Sequence, residues 1–228
     1  MRLYITLTAG ALSVASLAFA HGDVAPQAVN TDSLPEVGED WLFENPYRAE
    51  TAGEEVWHEA IRIGASGYNQ NCARCHGLEG VSGGLAPDLR FLEAEEFGDE
   101  WYMERYRHGY TQNGTTKMPA FGELLGQEAG WAIRTYVETR PDPDAMAEYT
   151  DELAAIRDDL AANGTTPDAL DADAITARLT EIGAAIPTMS GAPVADSIAS
   201  RAAVQIDGTA EGYETAAETL TIGLSAAQ

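Results

Sequence analysis

The sequence is poor in several things, and each shortage excludes something. Of 228 residues only two are cysteine and one is lysine, Lys117; 13 basic side chains stand against 37 acidic ones, for a net charge of −24. Acidity of that density excludes nucleic acid and anionic membrane surfaces as partners. After residue 20 no segment is apolar enough to span a bilayer, so no stable membrane insertion is expected. The stretch "GLEGVSGG" is glycine-rich, but no strand precedes it and no Lys-Ser/Thr follows, which rules out a phosphate cradle. There is no HExxH, no Ser/His/Asp ordering, and no carboxylate pair that stands out from the general acidity. Without a catalytic constellation, the chain is not expected to be an enzyme.

What is present begins at the N-terminus. Residues 1–20, "MRLYITLTAGALSVASLAFA", combine one basic residue, a short apolar run and an A-x-A site at Ala18-Phe19-Ala20. This is the pattern of a secretory signal peptide, with a mature chain starting at His21 and working in a bacterial periplasm. In that compartment two nearby thiols could oxidise to a disulfide.

Both cysteines fall in "NCARCHG", residues 71–77. In C-x-x-C-H the two-residue gap puts both sulfurs on one side of a helical turn, where each can form a thioether with a vinyl group of a haem, and the histidine is carried to the iron. A thioredoxin-like dithiol would need βαβ surroundings that this sequence lacks. The expected cofactor is therefore one covalent haem c, with Cys72 and Cys75 consumed as thioethers and His76 as proximal ligand.

The other face of the iron separates an electron carrier from an enzyme that binds a small molecule. Met118, in "GTTKMPAF", is the leading candidate, because Pro119 restricts it to extended backbone and so holds its thioether in one place. Met103 sits in a helical pattern and reads as core filling. His108, beside Gly109 at an apparent helix end, and His58, within "EEVWHEA", read as surface residues. Two amphipathic helices frame the motif. Trp57, Ile61, Gly64 and Tyr68 form one stripe, and Ala129, Ile133 and Val137 another; Gly64 and Gly67 would let the second helix approach closely, with Tyr136 against them.

Taken together, Cys72-Ala-Arg-Cys75-His76-Gly77, "GLAPDL", Lys117-Met118-Pro119 and the aromatic-rich helix after it resemble a class I c-type cytochrome. The stretch "HGDVAPQAVNTDSLPEVGEDWLFENPYR" leading into "GASGYNQNCARCHGLEG" further resembles the periplasmic PedF-type cytochromes that take electrons from PQQ-dependent alcohol dehydrogenases. The resemblance implies an all-α haem domain in which the Pro87 carbonyl accepts a hydrogen bond from the His76 ring and Met118 is the distal ligand. It also implies a quinoprotein alcohol dehydrogenase as electron donor and a downstream cytochrome or oxidase as acceptor. Two alternatives remain open on the residues alone: a haem enzyme with an open sixth site, and a fixed haem subunit of a membrane oxidoreductase anchored by an uncleaved N-terminus.

The pattern ends near Arg140. The expected organisation is a signal peptide (1–20), an N-terminal extension (21–49), a cytochrome domain (50–140) and an acidic, Ala-rich helical extension (141–228). Residues 141–228 carry 16 acidic and 3 basic side chains, net −13, whereas residues 72–118 carry 8 and 5, net −3. The haem face is thus expected to be the least negative part of the molecule. Prolines in "RPDPD" suggest a polar linker to a separate lobe, and the stripes Leu153, Ile156, Leu160 and Ile175, Leu179, Ile182, Ile186 suggest two or three helices in the tail.

Overall fold

The computed structural model describes residues 25–166 and 169–226, so the signal peptide and its cleavage site lie outside the described residues. The fold is helical. Helix α1 spans Ala49–Ala52, α2 Glu54–Asn71, α3 Ala73–His76 and α4 Glu96–His108. A two-stranded hairpin comes next, β1 Tyr110–Gln112 and β2 Thr115–Met118, and then α5 Gly122–Glu138. The C-terminal part holds α6 Pro143–Ala147, α7 Thr150–Asn163, α8 Ala172–Ala185, α9 Ile198–Gln205 and α10 Ala210–Ala226.

The central packing is α2 against α5. Glu54 and Glu55 in its first turn suit the positive end of the α2 dipole, and Trp57, Ile61, Gly64 and Tyr68 are all buried along one stripe. On α5, Ala129, Ile133 and Val137 are buried as expected, and Ala132, Ile133 and Tyr136 are the residues that meet Gly64 and Gly67 of α2. Gly64 is where the two backbones meet. A Cβ there would overlap the Ala132 carbonyl and lie 2.9 Å from the Tyr136 Cβ, so only glycine permits this approach. Helix α5 is not continuous: Gly126, at φ 83 and ψ 173, breaks its first turn from the remainder.

The N-terminal extension is tied down by charge. Asp99 on α4 and Arg134 and Glu138 on α5 are fully buried, and Arg48 closes the group. Arg48 bonds Asp99 and Glu138 at 2.8 Å each, Arg134 bonds Asp99 at 2.9 Å, and the Asn45 backbone N–H donates to Asp99 at 2.9 Å. Two cations and two anions, each with further hydrogen bonds, satisfy the condition under which buried charge is tolerated.

Residues after Arg140 form a second apolar cluster, with Leu153, Leu160, Leu179, Ile182, Ile186, Tyr213, Leu220 and Leu224 inside. Among the described residues five α-helices stand where two or three were expected. Half of what helices α9 and α10 bury is alanine, Ala199, Ala202, Ala203, Ala216 and Ala217, and so small a side chain adds little periodic contrast in sequence.

The junction is also not the free polar linker that its prolines suggested. Arg140 is 1% exposed, Pro141 bridges Thr188, and the Asp142 N–H donates to the Pro187 carbonyl at 2.8 Å. Ser190 Oγ donates to the Glu138 carbonyl and its own carbonyl accepts from Ala94 at 2.9 Å. Pro143 instead starts α6, where the Asp142 side chain caps the Asp144 N–H.

Candidate cofactor site

Helix α2 ends by delivering the motif. The Cys72 N–H still donates to the Tyr68 carbonyl at 2.8 Å, and the Cys72 carbonyl accepts from both Cys75 and His76 at 3.0 Å. One tight turn thus carries both half-buried sulfurs and the imidazole. The unattached Cys72 thiol is pushed up to about 12 by burial, with Cys75 beside it adding to the effect. Left as a thiol it would be a poor nucleophile. Asn71, one residue earlier, accepts from the Gln27 N–H at 2.7 Å and donates back to its carbonyl at 3.1 Å, so the N-terminal extension braces the motif.

The His76 ring is 8% exposed, and its Nδ1 lies 2.8 Å from the Pro87 carbonyl oxygen. A carbonyl only accepts, so Nδ1 carries the proton and Nε2 keeps its lone pair free for a ligand bond. The loop between them is pinned internally. Ser82 Oγ donates to the Ala86 carbonyl, and Arg90 forks onto Asp88 at 3.0 and 2.6 Å. Burial pushes the Asp88 carboxyl up, but the Arg90 bonds outweigh it and hold the group below the ordinary carboxylate range. At the loop's start the Tyr68 hydroxyl donates to the Gly77 carbonyl at 2.8 Å. Leu78, Val81 and Leu85 in this loop are 72, 49 and 77% exposed, apolar surface of the kind that a bound group or partner covers.

Met118 arrives from the other side of the sequence. It is the last residue of β2, extended as Pro119 requires, and it packs half-buried against the core that Cys72 also touches. The hairpin turns at Asn113 and Gly114, both at positive φ. Its register slips between Tyr110↔Met118 and Thr111↔Thr116, which makes Lys117 the extra residue of a bulge. A bulge of this kind turns the next side chain to the opposite face; here that residue is Met118, while Lys117 remains exposed. Met103 is buried core, and His58 and His108 are 61 and 58% exposed, each beside a glutamate one helical turn away.

Gly109 joins the site although sequence reasoning does not single it out. At φ 68 and ψ −164 it ends α4, and a Cβ there would overlap the Met118 carbonyl and lie 2.8 Å from the Ala120 nitrogen. Its only signal is the positive-φ stop expected after a helix; its role against the methionine segment needs the fold. A cavity of about 340 Å³ between Leu42, Phe43, Phe97 and Trp101 shares no residue with this site.

Comparison with known proteins finds relatives over the stretch of chain that contains these residues. The family described as cytochrome c oxidase, cbb3-type, subunit III matches residues 59–137. Cytochrome c550 of Pseudomonas aeruginosa is 52% identical over 133 residues, covering 58% of this chain and 90% of that protein. The quinohemoprotein alcohol dehydrogenases ADH IIB and ADH-IIG of Pseudomonas putida are each 33% identical, over 91 and 81 residues, covering 40 and 36% of this chain but only 13 and 11% of theirs. No solved structure matches. The chain belongs to the c-type cytochromes, as a member of the family that includes cytochrome c550. It is an all-α, class I, monohaem electron carrier with covalently bound haem c.

Proposed function

We propose that the chain is a periplasmic carrier that accepts single electrons from a quinoprotein (PQQ-dependent) alcohol dehydrogenase and passes them toward a downstream cytochrome or terminal oxidase. In this reading Cys72 and Cys75 hold the haem as thioethers, His76 is the proximal ligand oriented by the Pro87 carbonyl, and Met118 is the distal ligand. The bound haem supplies a one-electron couple, and thioether ligation raises its potential. The observation that carries the assignment is the 2.8 Å bond from His76 Nδ1 to Pro87, which fixes the tautomer and leaves Nε2 free.

The donor rests on chemistry and likeness together. Two proteins whose names join a quinone, a haem and alcohol oxidation share a small segment with this chain. A free-standing relative of that segment suits a quinoprotein that lacks its own haem. Among the described residues no helix is long and apolar enough to cross a membrane. The leader reading of residues 1–20 supports the periplasm, and cleavage after Ala20 would leave a mobile carrier.

Stopped-flow mixing of the oxidised holoprotein with a reduced quinoprotein alcohol dehydrogenase tests the donor, and rapid appearance of the ferrous spectrum is expected. No reduction by any such enzyme from the same genome would remove the partner and leave the haem. For the ligand, the oxidised protein should show the weak far-red sulfur-to-iron band, lost in Met118→Ala. A persisting band would move the ligand to another methionine, and rapid carbon monoxide binding by the unmutated protein would favour an open site.

A further inference from the structure

Glu79 stands three residues after His76, at the start of the loop that ends in Pro87. It has a left-handed backbone, φ 56 and ψ 19, unusual for a residue other than glycine. Two guanidinium groups converge on its carboxylate. Arg140, just beyond α5, is 3.6 Å from one oxygen; Arg201, on α9 of the C-terminal part, is 3.9 Å from the other. Asp196 completes the group, 2.9 Å from Arg140 and 3.3 Å from Arg201.

The four charges cancel, and they come from three regions distant in sequence. Arg140 is fully buried and lies over the Tyr136 ring at 4.2 Å; Tyr136 in turn packs 5.5 Å from Tyr68, whose hydroxyl holds the Gly77 carbonyl. The first turn of the loop is therefore gripped on one side by Tyr68 and on the other by the charge cluster. Half of that cluster, Asp196 and Arg201, belongs to the C-terminal part, and the matched cytochrome family ends at residue 137.

We propose that the C-terminal helical part holds the haem loop in place, with Arg201 as a positioning residue that acts through Glu79. The inference rests on the reading of His76 and Pro87 given above, since the loop that Glu79 opens presents the Pro87 carbonyl to the imidazole. The chemical logic is that of a strut. Arg140 stays in its buried seat, so its guanidinium is a fixed charge beside the Glu79 carboxylate, and ion pairing with Arg201 and Asp196 links the two to the start of α9. Release of Arg201 frees the loop's first turn without removing any group that touches the haem ligands.

Amide hydrogen exchange and the reduction potential of the holoprotein test this in Arg201→Gln, Glu79→Gln and the double variant. Each single variant is expected to speed exchange across residues 77–81 about threefold, the scale of a partly exposed ion pair. The double variant should be no faster than Glu79→Gln, because both changes break one connection. Both neutralisations should shift the potential in the same sense, since both release the loop. Opposite shifts would show a mere field effect of the lost charge and overturn the proposal, as would unchanged exchange in Arg201→Gln or additive effects in the double variant. Far-UV dichroism reports any disturbance of α9; should Arg201→Gln disturb it, Glu79→Gln carries the same test from the loop side. These readouts need no redox partner, so failure of the dehydrogenase to reduce the protein leaves them standing.

Discussion

Several single residues sit where the backbone leaves no alternative, and Gly109 is the one among them that bears on Met118, the proposed iron ligand. Its φ 68 and ψ −164 lie in a region open essentially to glycine alone, and the position of a Cβ is already filled by the Met118 carbonyl. Gly109→Ala must therefore adopt a strained backbone and displace the segment carrying Met118. We expect a loss of about 1–3 kcal/mol in urea unfolding, together with a weakened far-red band. Met118→Ala, by contrast, abolishes the band by removing the sulfur while leaving the α4 terminus intact. A Gly109→Ala protein with full band intensity and wild-type midpoint would show that the methionine segment is not held by this contact.

At the scale of elements, the helices α2 and α5 were readable because large apolar residues recur on one stripe, and the motif was readable because C-x-x-C-H has one common use. The braces between elements were not. Asp99, Arg134 and Glu138 carry no mark in the sequence that separates them from solvated charges, yet all three are buried; Asp99 and Glu138 pair with Arg48 across 51 and 90 residues of chain, and Arg134 pairs with the same two carboxylates. Ion pairing over such separations leaves no local pattern. Arg140 was hidden for the same reason, in a stretch whose prolines suggested a free linker. The hairpin escaped because "TQNGTTKM" offers few apolar residues to alternate; its Asn-Gly turn was visible, but the bulge at Lys117 that sets Met118 was not. The buried network predicts a sharp contrast between positions. Arg134→Met leaves Asp99 and Glu138 sharing Arg48 and should cost about 3–5 kcal/mol, measured as a lower urea midpoint. Arg62→Ala, which breaks the exposed pair with Glu59, should scarcely move the midpoint. Equal effects would mean that water reaches the Asp99 cluster.

At the scale of the molecule, two apolar clusters lie on either side of residue 140, and what joins them decides how a shortened chain behaves. All the groups assigned to the haem, from Cys72 to Met118, and the whole first cluster's buried set precede Arg140. A chain stopped at Arg140 should therefore still fold and acquire covalent haem. It would lose Asp196 and Arg201 from the charge cluster, the Ser190 bonds to Glu138 and Ala94, and the Pro141–Thr188 bridge. Arg140 would gain water as it loses partners, so the penalty should stay near 1 kcal/mol, roughly 4–8 °C in a haem domain of this size. A freely hinged lobe would leave the melting point where it was. The same truncation removes a net −13, so the rate of reduction by a partner should change most at low ionic strength. That change should fade near molar salt, where the Debye length falls to about 3 Å. Melting followed at the haem absorbance, with stopped-flow reduction at two salt concentrations, measures both effects on one preparation. Failure to recover any soluble haem protein from the shortened chain would make the C-terminal helices part of the haem fold itself.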